Sequence, residues 1–141
     1  QMLTGTKWNC AGGATPWGTW LSCEEFRGGF VWECDPQRSG QGVARRALGK
    51  FPHEAAAVDP STGYVYLTED DYDSRLYRFR PARWGDLREG VLEAASVGDS
   101  GTVRWLAVPN DRPDRSRDTT AFQRGEGAWF SGGCLYLTTT A

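Results

Sequence analysis

The side chains best placed for chemistry in this sequence are acids at the ends of short apolar runs, together with one cysteine and one arginine. Glu24 closes the run Trp20-Leu21-Ser22-Cys23-Glu24, and Asp70 closes Tyr66-Leu67-Thr68-Glu69-Asp70. Aromatic, leucine and hydroxyl recur in register, and a third copy, Tyr136-Leu137-Thr138-Thr139-Thr140, carries threonine in the acidic place. Successive side chains of an extended chain face opposite ways. Glu24 and Asp70 are therefore expected on one face, with Cys23 and Glu69 on the other.

A second pair of acids precedes two of these runs. Glu54 lies before Ala55-Ala56 and Glu126 before Gly127-Ala128, where small neighbours leave room around a carboxylate. Carboxylates gathered in a confined channel repel one another and rise in pKa unless a cation or an arginine neutralises them. Oxygen ligands suit calcium, whereas a thiolate among them suits a transition metal such as iron, and Cys10 could supply it. Arg124, two residues before Glu126, shares its side of an extended segment and could clamp a phosphate. The competing reading makes these acids solvated turn residues, Arg124–Glu126 a plain ion pair and Cys10 a small buried hydrophobe. His53 beside Glu54 could orient a ligand, but no serine and aspartate accompany it at the spacing of a triad.

The elements that must position these groups read as strands. Runs at Thr19–Cys23, Gly29–Cys34, Glu54–Val58, Tyr64–Thr68, Leu76–Phe79, Thr102–Val108, Gly127–Phe130 and Cys134–Thr138 are mostly bounded by Gly, Pro, Asp or Ser. Asp59-Pro60-Ser61-Thr62-Gly63 and Ser131-Gly132-Gly133 are suited to reversing the chain. Residues 80–100 are the one stretch that could hold a helical turn, and Asn110–Thr120 reads as a polar loop. The echo of an acid 12 residues before Tyr66 and 10 before Tyr136, a difference that fits a shorter turn, predicts an all-β chain of antiparallel β-propeller blades, about three over residues 1–141. Three blades do not close a ring, so the parent protein is expected to continue past both ends.

Composition agrees with short aromatic strands and tight turns: seven Trp, five Tyr, six Phe and 18 Gly stand against one Met and one His in 141 residues. The aromatic run Trp17, Trp20, Phe30, Trp32 is expected to pack between blades. A net charge of -2 with mixed signs gives no basic face for nucleic acid, and no apolar run approaches the length of a membrane helix. The four cysteines, Cys10, Cys23, Cys34 and Cys134, lack zinc-finger spacing.

Three segments carry a more specific likeness. NCAGGATPWGTWLSCEE (Asn9–Glu25), FPHEAAAVDPSTGYVYLTED (Phe51–Asp70) with LYRFRP after it, and FQRGEGAWFSGGCLYLTTT (Phe122–Thr140) resemble, in order, segments of the PhoX alkaline phosphatase family. That resemblance implies a six-bladed propeller with an iron–calcium cluster in its channel, hydrolysing phosphomonoesters in the periplasm or outside the cell, and a full-length protein acting as a monomer. Carried over by motif, it implies Cys10 as an iron ligand, Glu24 as a calcium ligand, and Glu54, Asp70 and Glu126 as metal ligands, with Glu69 the second choice for Asp70. Arg124 is implied as the phosphate contact. Many relatives have Pro where this chain has Gly125. The rival expectations are a non-catalytic calcium-binding propeller module and a lactonase-like calcium-dependent hydrolase.

Overall fold

A computed structural model describes residues 3–113 and 117–140. Eleven strands in those residues form three antiparallel sheets. The first contains β1 (Asn9–Ala14), β2 (Trp20–Glu24), β3 (Val31–Cys34) and β4 (Gly42–Ala44) in that order. The second runs β5 (His53–Val58), β6 (Val65–Glu69), β7 (Leu76–Arg83), β8 (Asp86–Val97) and β9 (Val103–Ala107), and the third is the hairpin β10 (Gly125–Ser131) and β11 (Cys134–Thr139). Sequential strands pair throughout, as expected of propeller blades built from hairpins.

The turns follow from local chemistry. Asp59 Oδ1 accepts from the Ser61 amide at 2.9 Å and its hydroxyl at 2.7 Å, while Oδ2 accepts from the Thr62 hydroxyl at 2.7 Å. Gly63 then takes a φ of 73°, which lets β6 return beside β5.

The stretch expected to allow a helical turn is instead covered mainly by the end of β7 and by β8, a twelve-residue strand. Its Leu-Glu-Ala composition favours helix in isolation. Here β8 pairs with β7 on one side and β9 on the other, and Leu87, Leu92, Ala94 and Ala95 are fully buried, so tertiary packing overrides that preference. Within the expected loop Asn110–Thr120, residues 114–116 lie outside the described residues, and the remainder forms no strand.

Core packing falls to aliphatic residues with a few rings. Leu21, Val31, Leu48, Leu67, Phe79 and Leu92 are buried, and Phe51 stacks on Tyr77 with centroids 4.3 Å apart. Complete burial of such side chains stabilises by about 1.5–3 kcal/mol each. The aromatic run expected between blades lies at the margin instead: Trp20 is exposed, and Trp17, Phe30 and Trp32 are half-buried. Trp17 packs edge-on against Trp84, and its indole N–H donates to Glu33.

Strand β5 is buried along its whole length because β1 packs on one side and β10 on the other. The approach of β1 is close enough that a Cβ at Gly13 would collide with the Ala56 carbonyl oxygen. On the other side, the Thr68 hydroxyl donates to the Glu126 carbonyl at 2.6 Å and accepts from the Ala55 amide at 3.0 Å. The leading strands of the three sheets are thereby held side by side.

Candidate functional site

These three leading strands share one irregularity. Asn9 pairs with Glu24, His53 with Glu69 and Gly125 with Thr139; regular pairing resumes at Gly12–Ser22, Ala56–Leu67 and Ala128–Leu137. In each case three steps on the leading strand match two on its partner, which defines a β-bulge. A bulge re-aims the side chain at the extra residue. Cys10, Glu54 and Glu126 occupy the same place in the three bulges.

Their side chains converge. The Cys10 thiol donates to Glu54 Oε1 at 3.0 Å. Cys10, Glu25 and Glu54 each offer a ligand atom within 4.8 Å of the other two. Asp70 interacts with Glu25, and Glu54 senses the charges of Glu25, Glu126 and Asp70. Thr140, at the end of the third sheet, donates its hydroxyl to Glu126 Oε1 at 2.8 Å.

Glu25 therefore stands where Glu24 was expected. The amides of Glu25, Asp70 and Thr140 donate to the carbonyls of Trp8, Pro52 and Arg124, so these three are the equivalent positions. Glu24 is equivalent to Glu69, not to Asp70. Both are buried and turned into the following hairpin: Glu24 Oε2 accepts from the Phe30 amide at 3.0 Å and Glu69 Oε2 from the Arg75 amide at 3.0 Å, each six residues on. Glu24 Oε1 also accepts from the Lys7 amide at 2.9 Å, which occupies both of its oxygens. The second and third repeats align as the sequence predicts, and only the first is offset, by one residue. Aligning the acid pairs Glu24-Glu25 and Glu69-Asp70, rather than the aromatic-leucine-hydroxyl runs, would have found the register.

The electrostatics are those of crowded acids. Burial raises the Glu54 carboxyl first; the Cys10 thiol lowers it, and the surrounding carboxylates raise it further. Glu25 is also raised, by burial and then by Asp70. The Cys10 thiol is pushed up to about 12, chiefly by its hydrogen bond to Glu54. A cation among these groups would replace the shared protons and remove the repulsion. One thiol with several carboxylates is a donor set that fits both a hard cation and a transition metal.

Arg124 is the positive group of the cluster. Its Nε lies 2.6 Å from Asp70 Oδ1, and Nη2 lies 3.5 Å from Glu126 Oε1. The loop after β6 fixes it further, because the Arg124 amide donates to the Asp71 carbonyl at 2.9 Å and the Tyr72 ring lies 5.9 Å from the guanidinium carbon. Arg124 has a φ of 53°, a left-handed conformation unusual for a residue with a side chain. Asp70, expected among the metal ligands, is thus also the counter-charge of Arg124.

The remaining candidates have structural surroundings. His53 is fully buried, stacked on Phe51 with centroids 3.7 Å apart and 3.2 Å from the Gly49 carbonyl. Its pKa is lowered to about 3 by burial, which keeps the ring neutral. Cys23 and Cys34 are buried, Cys134 is exposed, and no cysteine among the described residues forms a disulfide. No helix among the described residues is long and apolar enough to cross a membrane.

No curated protein matches the chain. Among solved structures, it is similar to Pseudomonas fluorescens PhoX in complex with vanadate, a transition state analogue, at 23% identity and a TM-score of 0.78. The similarity covers 94% of this chain and 39% of that one, so this chain spans well under half of its relative. The description "Alkaline phosphatase PhoX" matches over residues 1–28 and 26–141. With every residue matched, and with that fold, the chain belongs to the PhoX family of alkaline phosphatases.

Proposed function

We propose that the protein hydrolyses phosphomonoesters at a cation cluster held by Cys10, Glu25, Glu54, Asp70 and Glu126, with Arg124 as the phosphate contact. The observation that carries this reading is the convergence of a thiol and carboxylates from three sheets around one arginine. Calcium and iron are the proposed cofactors, iron near the Cys10 sulfur and calcium among the carboxylates. Glu24 is left out of the ligand set because backbone amides occupy both its oxygens.

Bound cations would supply Lewis-acid polarisation of the phosphoryl oxygens and activation of the attacking oxygen. The chain's own groups set the geometry around that chemistry. The bulges in β1, β5 and β10 aim Cys10, Glu54 and Glu126 inward, and Thr140 orients Glu126. Arg124 is held with Nε against Asp70 and Nη2 against Glu126, which places the guanidinium in the cluster to meet a phosphoryl oxygen. Charge developing on those oxygens in the transition state would be neutralised by a guanidinium already held in place.

The reaction is proposed to run in the periplasm or outside the cell, in a monomer of the intact protein. Elemental analysis of that protein, with p-nitrophenyl phosphate turnover before and after chelation, tests the reading. Bound calcium and iron with chelator-sensitive turnover are expected. Calcium without iron or turnover would instead identify a structural calcium module.

A further inference from the structure

Two of the most exposed aromatic residues stand at the rim of this cluster. Trp8 is 78% exposed and Tyr72 is 74% exposed. Single exposed rings are ordinary on a protein surface. These two are set apart by their attachments. The Trp8 carbonyl accepts from the Glu25 amide at 2.9 Å, and the Tyr72 ring lies 5.9 Å from the Arg124 guanidinium carbon.

The rim is also continuous between them. Phe26 meets Trp8 edge-on, with centroids 6.2 Å apart and an interplanar angle of 75°. The next residue, Arg27, reaches Asp71 at 4.0 Å, and Tyr72 follows Asp71 in the chain. Trp8 and Arg124 occupy equivalent places in the first and third repeats, and both have left-handed backbones, with φ of 47° and 53°. Backbone strain of this kind concentrates at functional sites. The first repeat thus presents a flat apolar surface where the third presents a phosphate-binding cation.

We propose that Trp8 and Tyr72 form a stacking subsite for a planar aromatic leaving group, so that phosphomonoesters carrying a nucleobase or aryl ring are preferred over aliphatic ones. The proposal rests on the phosphatase reading and names a substrate class for it. Arg124 would anchor the phosphoryl group, and a ring a few ångströms further out would meet the rim. Stacking on one aromatic side chain contributes about 1–3 kcal/mol, and each 1.4 kcal/mol is about tenfold in a rate or binding constant.

The test compares kcat/KM for adenosine 5′-monophosphate and ribose 5-phosphate in the intact metal-loaded protein. Both esters break the bond to a primary 5′-oxygen of ribose, so leaving-group chemistry is closely matched and their ratio reports the contribution of the base. The wild-type ratio is expected to favour the nucleotide by about tenfold or more. Trp8→Ala and, separately, Tyr72→Ala should each reduce that ratio several-fold, with the loss carried by the nucleotide, and Trp8→Phe should restore most of it. An unchanged ratio in both alanine variants of an active protein, or an equal fall for both esters, overturns the subsite alone. A wild-type protein that hydrolyses neither ester overturns the phosphatase reading and the subsite with it.

Discussion

The Cys10 thiol, on the first sheet, donates to Glu54 Oε1, on the second, across 3.0 Å. Removing either partner takes a ligand atom from the centre, and both groups lie at bulges where the regular pairing is already interrupted. Cys10→Ala and Glu54→Gln are each expected to abolish turnover and lower the metal content of the intact protein while leaving it folded. Cys34→Ala should do neither, because the Cys34 sulfur faces the Trp20 carbonyl at 3.6 Å, away from the cluster. Wild-type turnover in both of the first two variants would sink the site assignment.

Glu24 and Glu25 are adjacent in sequence and should separate cleanly by experiment. Glu24→Gln leaves one of the two part-buried backbone amides that Glu24 serves without its acceptor, at a cost of about 1 kcal/mol in urea unfolding, and should keep the metal. Glu25→Gln should lose metal and turnover with little loss of stability. Metal loss from Glu24→Gln at unchanged stability would show that the carboxylates have been assigned the wrong way round.

Arg124 offers a planar fork that lysine does not reproduce. Arg124→Lys keeps the charge but loses the paired geometry toward Asp70 and Glu126. Hydrogen bonds to charged groups are worth about 1.5–3 kcal/mol, so kcat/KM for a phosphomonoester should fall at least tenfold with metal content retained. A variant with unchanged kcat/KM would remove Arg124 from the phosphate contact.

His53 should make the metal-free protein sensitive to acid. Its folded pKa is lowered to about 3 from an unfolded value near 6.5. The unfolded chain therefore binds the proton first; the stabilisation is complete above pH 6.5 and is lost as pH falls from there toward 3. By pH 5 the loss is about 2 kcal/mol. The raised carboxyls of Glu25 and Glu54 act in the opposite sense, since the folded state binds their protons more tightly. The His53 part is thus read from the difference between wild type and His53→Gln in urea unfolding at pH 7.5 and 5. Equal pH dependence in the two would show that the ring is not held neutral.

Much of the site was legible because the repeats carry chemical marks. Glu54 and Glu126 stand 12 and 10 residues before Tyr66 and Tyr136, and both fall at the same bulge position. Cys10 holds that position in the first repeat, where no acid announces it. Strand β8 was missed because its residues are good helix formers, and only pairing on both edges makes it a strand. As an acid at a strand end Asp70 reads as a metal ligand; its contact with Arg124 was not legible, because Arg124 lies 54 residues away in sequence.

Residue order alone determined the all-β class, the hairpin repeat, and the pool of Cys10, acids and Arg124 from which a metal-assisted phosphatase could be inferred, because alternation and turn chemistry are local. It also carried the family signature. Only the tertiary structure decided between Glu24 and Glu25. The bulge recurs in the leading strand of all three sheets, and against that common frame side-chain alternation puts Glu24 on backbone amides and its neighbour Glu25 toward the cluster. The paired acids Glu24-Glu25 and Glu69-Asp70 hint at that register in the sequence, and the equivalent amide-to-carbonyl bonds of Glu25, Asp70 and Thr140 fix it in the fold.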